Sequence, residues 1–208
     1  MTSTKLYLVR HGQTEWNAQS RIQGHLDSPL TEYGTKQAVW AGEALREVTF
    51  DIIYASSSGR TVRTAEIVRE YSMNTAVPII VSDNLREKYN GSWEGQLQEH
   101  LNQQYPEEHH AYWHTPHLYR PVSGESFYDV RNRAVPEVRS IIAAHPGQTI
   151  LIVTHTIPLK LIMAHFEGRE LEHIWNPPFL HPACLCMVEL RDHQPVIHLN
   201  GDISHFKE

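Results

Sequence analysis

The sequence predicts a single α/β domain of three layers, in which a mostly parallel β-sheet is flanked by helices. Short apolar runs alternate with amphipathic helical patterns along the chain, and no internal repeat or low-complexity tract interrupts them. Alternating βαβ units of this kind favour a parallel sheet that is covered on both faces. The chain has 208 residues, of which 40% are hydrophobic, which is enough for one core. We therefore expect one domain over residues 1–208.

The first half of the chain contains three predicted strands and two predicted helices. The run LYLV at 6–9 is apolar and ends at charged residues, which is typical of a buried strand. Thr31 is a suitable N-cap for a helix in which Ala38, Ala41 and Leu45 share one face. In chain order we predict strand 6–9, helix 31–47, strand 51–55, helix 59–71 and strand 77–81.

The second half continues the alternation and closes with a hairpin. A long helix is predicted over 127–144, and Pro136 inside it predicts either a kink or the start of a new segment. A strand at 149–154 and a helix at 158–166 follow. Two further strands, at 183–190 and 196–199, are expected to form a hairpin around the polar stretch 191–194.

Composition excludes several classes of function. The formal net charge is -6 and the pI is about 6.2, so the chain lacks the basic surface that nucleic-acid binding requires. No apolar stretch has the length of a membrane span or of a signal peptide. Cys184 and Cys186 are too close in sequence to pair readily, which favours free thiols in a reducing compartment. We expect a cytoplasmic protein without nucleic-acid or membrane partners, and a homodimer is left open.

Charged residues follow the predicted strands at the points where the strands end. Arg10 and His11 follow the first strand, the loop SSSGR with Arg60 follows the second, Arg86 and Glu87 follow the third, and His155 follows the strand at 149–154. Ligands of open α/β sheets bind beyond the carboxyl ends of the strands. These residues would therefore form a positive pocket in an acidic protein, and such a pocket suits a phosphate dianion.

The residue types in this pocket match phosphoryl transfer. A neutral imidazole at His11 is a competent nucleophile, and flanking cations keep its lone pair free. Arg10, Arg60 and His155 would donate to the oxygens of the transition state, while Glu87 would protonate the leaving oxygen. We expect no metal and no other cofactor, because cationic side chains neutralise the phosphate. The chain also lacks the P-loop motif of nucleotide hydrolases.

Five segments together resemble the histidine phosphatase (phosphoglycerate mutase-like) superfamily. They are LYLVRHGQTEWN, RIQGHLDSPLTEYG, SSSGRTVRTAEIV, LREKYNGSWEG and ILIVTHTIPLK, and GDISH near the C-terminus also matches. They occur in the family's order and span nearly the whole chain. Outside them, YWHTPHLYRPVSGESF and LEHIWNPPF resemble the PhoE-type broad-specificity phosphatases in particular.

The resemblance implies a role for individual residues and an α/β fold with flanking helices. His11 corresponds to the phosphorylated nucleophile, Arg10, Arg60 and His155 to the phosphate pocket, and Glu87 to the proton donor. Four further positions correspond to substrate- or phosphate-binding residues: Asn17, Gln23, Gly24 and Thr156. Thr156 departs from the family pattern, which usually has Gly there, and this departure bears on the choice of substrate.

The segment 88–122 is expected to form a lid over the pocket. It contains six aromatic residues, at 89, 93, 105, 112, 113 and 119, but only Lys88 and Arg120 as permanent cations. Aromatic walls favour apolar or aryl leaving groups, although the same residues would also suit an ordinary core. The scarcity of cations disfavours the main alternative, a phosphoglycerate mutase. A non-catalytic phosphate-binding module and a metal site in the histidine-rich lid are weaker alternatives.

Overall fold

The computed structural model describes residues 3–191 and 194–207. Its strands are β1 (Thr4–Arg10), β2 (Ile52–Ser56), β3 (Ile79–Ser82), β4 (Thr149–Thr154), β5 (Leu185–Arg191) and β6 (Gln194–Asp202). Its α-helices are α1 (Glu15–Ala18), α2 (Glu32–Ala44), α3 (Gly59–Tyr71), α4 (Gln98–Gln104), α5 (Pro106–His114), α6 (Phe127–Ala144) and α7 (Thr156–Glu167). The predicted fold class is confirmed.

All six strands form one sheet in the order β3-β2-β4-β1-β5-β6. The pairs β3–β2, β2–β4 and β4–β1 are parallel, whereas β5 pairs antiparallel with both β1 and β6. The hairpin predicted at the end of the chain is therefore present. Residues 192 and 193 of the polar stretch between its strands lie outside the described residues.

Alternate residues of the central strands supply the two cores that make the domain three-layered. Leu6 and Leu8 of β1 belong to a cluster that includes residues of α6 and α7, such as Val138 and Leu159. Val9, the next residue along β1, belongs to a second cluster that includes residues of α2 and α3. Successive side chains of a strand point to opposite faces, so both faces of the sheet are covered. Cys184 and Cys186 are free thiols and are buried.

Prolines bear on two helices, of which α6 has its predicted bounds and α7 begins earlier than predicted. The helix α6 runs from Phe127 to Ala144 with Pro136 inside it, so no new segment begins there. Buried residues on both sides of the proline, among them Ala134 and Val138, keep one face of the helix in the core. The helix α7 begins at Thr156 rather than at residue 158, since a proline in the first turn removes an N–H that has no helical partner.

The segment 88–122 contains α4 and α5, which the sequence analysis did not predict. Trp93, Tyr112 and Tyr119 of this segment are almost fully buried in a third apolar cluster together with Phe127 of α6. For Trp93 and Tyr119, the ordinary-core alternative is therefore correct. Tyr112 differs, because it also lines a cavity, as does its neighbour Trp113.

Parallel pairing brings the carboxyl ends of β1, β2 and β4 to one edge of the sheet. Arg10 at the end of β1 is in register with Thr154 at the end of β4, and Val153 is in register with both Val9 and Ala55. The loops that follow these three strands therefore start side by side. This edge is where the sequence analysis placed the phosphate pocket.

Candidate active site

A cavity of about 630 Å³ opens at the carboxyl edge of the sheet. Seven of the nine predicted site residues line it, namely Arg10, His11, Asn17, Gln23, Arg60, Glu87 and Thr156. His155 lies against His11, with 5.1 Å between the ring centroids and an angle of 66° between the ring planes. Gly24 is not part of the lining. Arg86 is not part of it either, and donates to the carbonyl of His25.

His11 is buried directly after β1, and a hydrogen bond to the backbone determines which of its ring nitrogens carries the proton. Its Nδ1 lies 2.8 Å from the carbonyl oxygen of Gly12, which is an acceptor only, so Nδ1 must carry a proton. Burial lowers the pKa of His11 well below its ordinary value, and the charges of Arg60 and Arg10 lower it further. The ring is therefore neutral near pH 7, and Nε2 carries its lone pair.

Carbonyl oxygens hold both arginines in place. Arg10 donates from Nη1 to the carbonyl of Leu180 at 2.7 Å. Arg60 donates from Nη2 to the carbonyl of Gly24 at 2.8 Å and from Nη1 to Asp27 at 2.6 Å. In both side chains, Nε is buried and has no partner among the described residues. Each guanidinium thus keeps donor capacity for an anion.

Asp27 is a site-supporting residue that the sequence analysis did not identify. Its carboxylate accepts from the side chain of Arg60 and also from the backbone N–H of Arg60 at 3.2 Å. The Asp27 side chain is 40% exposed, whereas that of Arg60 is fully buried. Its place in the quoted segment RIQGHLDSPLTEYG was the available signal, but no spacing rule connects it to Arg60.

His155 is fully buried at the N-cap of α7, and one of its two ring nitrogens has a hydrogen-bond partner. Its Nε2 lies 2.7 Å from the hydroxyl oxygen of Ser56, and its Nδ1 has no partner among the described residues. Burial lowers the pKa of His155 well below its ordinary value, and Arg60 lowers it further. His155 is therefore neutral as well.

Glu87 is a buried carboxyl group whose pKa is shifted upward. It is 6% exposed, and burial raises its pKa above the ordinary value. The backbone N–H groups of Lys88, at 2.8 Å, and Ile157, at 3.4 Å, oppose that rise together with Arg60. Desolvation is the largest influence, as in other carboxyl groups that act as acids near neutral pH.

Of the predicted binding residues, three line the same cavity as the catalytic residues and Gly24 lies outside the lining. Asn17 closes a capping box with Thr14 at the start of α1, and Gln23 accepts from the hydroxyl of the same threonine at 2.8 Å. Gly24 is required by close packing, because a Cβ there would lie 2.7 Å from the carbonyl oxygen of Lys88. Thr156 is the first residue of α7 and lines the cavity with its neighbour Ile157.

The outer part of the cavity, beyond the predicted site residues, includes aromatic side chains. Trp113 and Trp175 pack against each other there, with 4.7 Å between the ring centroids, and Phe179 lies at the rim with 67% of its surface exposed. Lys160 and Arg21 also line the cavity, but both already donate to backbone carbonyls. Helical spacing from Thr156 could have identified Lys160, which lies one turn further along α7. No periodic signal pointed to Trp175 or Phe179.

A protein-family model described as "Histidine phosphatase superfamily (branch 1)" matches residues 6–203. The chain belongs to the histidine phosphatase superfamily. Its solved relatives include Bacillus stearothermophilus YhfR, which is 42% identical over 97% of this chain and 98% of that chain, with a TM-score of 0.93. The predicted membership is therefore confirmed.

Curated members of the superfamily that resemble this chain include phosphatases and mutases. Phosphoserine phosphatase 1 of Hydrogenobacter thermophilus is 34% identical over 83% of this chain and 80% of its own length. A Bacillus subtilis protein named uncharacterized phosphatase PhoE is 30% identical over 97% of this chain and its full length. A 2,3-bisphosphoglycerate-dependent phosphoglycerate mutase of Bartonella tribocorum is 35% identical over 81% of this chain and 84% of its own length. Together, the family and its phosphatase members identify the chain as a phosphatase, as the sequence predicted.

The described residues contain neither a metal-binding cluster nor a membrane-spanning helix. Within 3–191 and 194–207, no group of three or more His, Cys, Asp or Glu side chains is placed to hold a metal ion. Over the same ranges, no helix has both the length and the apolar character that a membrane span needs.

The two buried histidines predict a specific dependence of stability on pH. Both have a folded-state pKa well below the 6.5 of the unfolded chain, so on acidification the unfolded state takes up protons first. The free energy of unfolding should fall as pH decreases below 6.5, by up to about 1.4 kcal/mol per pH unit for each histidine. Urea unfolding between pH 7.5 and 4.5 measures this slope. His11→Asn and His155→Asn should each reduce it, and slopes equal to wild type would contradict the assignment.

Proposed function

We propose that the chain hydrolyses phosphate monoesters through a phosphohistidine intermediate on Nε2 of His11. The observation that carries this proposal is the hydrogen bond from Nδ1 of His11 to the carbonyl of Gly12, which leaves a lone pair on Nε2 inside a cavity lined by two arginines. The neighbouring Glu87 supplies the proton that the reaction needs.

The reaction takes place in two displacements. In the first, Nε2 of His11 attacks phosphorus, the bond to the ester oxygen breaks, and protonated Glu87 gives its proton to the leaving alcohol. In the second, the Glu87 carboxylate takes a proton from a water molecule, whose oxygen attacks the phosphohistidine. Inorganic phosphate leaves, and both side chains return to their starting protonation states.

Arg10 and Arg60 stabilise the charge that spreads over the phosphoryl oxygens in the transition state. Both are fixed by carbonyl or carboxylate groups before a substrate arrives, so little reorganisation is required. With two guanidinium groups at the phosphate, we propose that the reaction needs no metal ion. Asn17, Gln23 and Thr156 complete the binding site, and Gly24 contributes through the carbonyl that holds Arg60.

The outer cavity supports a broad specificity that favours apolar or aryl leaving groups. Trp113, Trp175 and Phe179 offer apolar surface to a leaving group, while Lys160 and Arg21, which also line the cavity, each donate to backbone carbonyls. We propose that residues 88–122 act as the lid that carries part of this wall. The cytoplasmic location, the lack of nucleic-acid partners and the open homodimer stay predictions of the sequence.

Hydrolysis of p-nitrophenyl phosphate in the presence of EDTA tests the proposed function. Wild-type enzyme should turn over without added metal, and His11→Ala should reduce the rate to background because the nucleophile is lost. Arg60→Ala should lower kcat by about 10²- to 10³-fold, as expected for the loss of one preorganised donor. His198→Ala, on β6 away from the cavity, is the matched control and should retain the wild-type rate.

Equal rates of p-nitrophenyl phosphate hydrolysis for wild type and His11→Ala would contradict the proposed catalytic function and favour a non-catalytic phosphate-binding module. The mutase alternative is separated by incubating the enzyme with 3-phosphoglycerate and bisphosphoglycerate. Formation of 2-phosphoglycerate faster than free phosphate would show that the phosphoryl group returns to a triose rather than to water.

Substitution of Phe179 tests the proposed preference for aryl groups. Because Phe179 is 67% exposed, Phe179→Ser should fold normally. It should lower kcat/KM for p-nitrophenyl phosphate by about 2- to 10-fold, because that is the effect expected from the loss of one aromatic–aromatic contact. The kcat/KM for glycerol phosphate should stay unchanged. Leu118→Ser is the control, since Leu118 is 59% exposed and is not part of the lining. An equal loss for both substrates would exclude an aryl subsite at Phe179.

A further inference from the structure

Ser56 is the last residue of β2 and has no role in the mechanism described so far. It is fully buried, and its hydroxyl oxygen lies 2.7 Å from Nε2 of His155. A buried hydroxyl at this distance forms a strong hydrogen bond, and the direction of that bond decides which nitrogen of His155 carries the ring proton.

The direction follows from a count of protons. His155 is neutral, so its ring has one N–H donor and one acceptor nitrogen. The hydroxyl oxygen of Ser56 accepts the backbone N–H of Ser58 at 3.5 Å, and Nε2 of His155 is the one acceptor that the hydroxyl reaches among the described residues. The hydroxyl proton of Ser56 therefore goes to Nε2 of His155, which places the ring proton on Nδ1.

The environment of Nδ1 supports the same assignment. This nitrogen is buried, and no acceptor among the described residues reaches it. The ring lies edge-on against His11, and Arg60 and Arg10 are near enough to depress its pKa. A phosphoryl oxygen bound to these groups would accept from an N–H at Nδ1, whereas a lone pair there would repel it. In the opposite tautomer, the single N–H of His155 would donate to Ser56, and no donor would remain at Nδ1.

We propose that Ser56 is a positioning residue that fixes His155 as the Nδ1–H tautomer, so that His155 donates to the transferring phosphoryl group. The role rests on the proposed phosphatase function, but the tautomer itself does not. The two histidines of the site then carry opposite tautomers. The carbonyl of Gly12 makes His11 a nucleophile through a bare Nε2, and the hydroxyl of Ser56 makes His155 a donor through Nδ1.

The tautomer is read directly from long-range ¹H–¹⁵N spectra of histidine-labelled protein near pH 7, with the His155 signals assigned by their absence in His155→Gln. Wild type should show a protonated Nδ1 and an unprotonated Nε2 at His155. Ser56→Ala should shift the ring towards the Nε2–H form or a mixture of both, and Ser56→Thr, which keeps the hydroxyl, should restore the wild-type pattern. A wild-type ring with its proton on Nε2 would overturn the proposal without the need for any variant.

Kinetics provide the second readout. Ser56→Ala should lower kcat for p-nitrophenyl phosphate by about 10- to 100-fold, less than the ~10²- to 10³-fold loss of a whole donor, because part of the population keeps Nδ1–H. KM should change little, since the aryl group binds elsewhere in the cavity. Ser57→Ala is the matched control, because Ser57 hydrogen-bonds to Asp83 and does not contact His155. It should retain the wild-type kcat and tautomer.

The two proposals fail in different ways. If wild type is active through His11 and Ser56→Ala keeps both its kcat and its tautomer, the role of Ser56 is wrong while the phosphatase function stands. If wild type shows the Nδ1–H tautomer but hydrolyses no phosphate ester, the assignment of Ser56 to the tautomer stands while the proposed function is wrong.

Discussion

Two imidazole rings are buried beside two guanidinium groups, and the remaining features of the site depend on this constraint. Burial and positive charge both oppose protonation, so His11 and His155 stay neutral at pH values where exposed histidines titrate. A neutral imidazole has one donor and one acceptor nitrogen, and its function depends on whether Nδ1 or Nε2 carries the proton. One backbone carbonyl and one serine hydroxyl make that choice.

The fold supplies these partners because parallel strands deliver several loops to one edge. The carbonyl of Leu180, just before β5, holds Arg10, and Lys160 of α7 donates to the carbonyls of Asn176 and Pro178 in the same loop. The backbone of the loop that forms part of the outer cavity wall thus also orients Arg10, a proposed phosphate-binding residue.

Much of the fold and the inner site could be predicted, because strands that end in charged residues are visible in the sequence. The residues that hold the site were less accessible. Asp27 and Ser56 act through contacts between segments that are far apart in the chain, and no periodicity encodes such contacts. Trp93 was indistinguishable from a lid aromatic by composition, and only tertiary packing placed it in the core.

The most direct test of this account is to trap the covalent intermediate. Enzyme quenched in base during turnover of p-nitrophenyl phosphate should carry one acid-labile phosphoryl group on the peptide that contains His11. Phosphorus–nitrogen NMR correlations should place that group on Nε2, the nitrogen left bare by the hydrogen bond of Nδ1 to Gly12. A phosphoryl group on Nδ1 or on another residue, or turnover without any covalent adduct, would contradict the account.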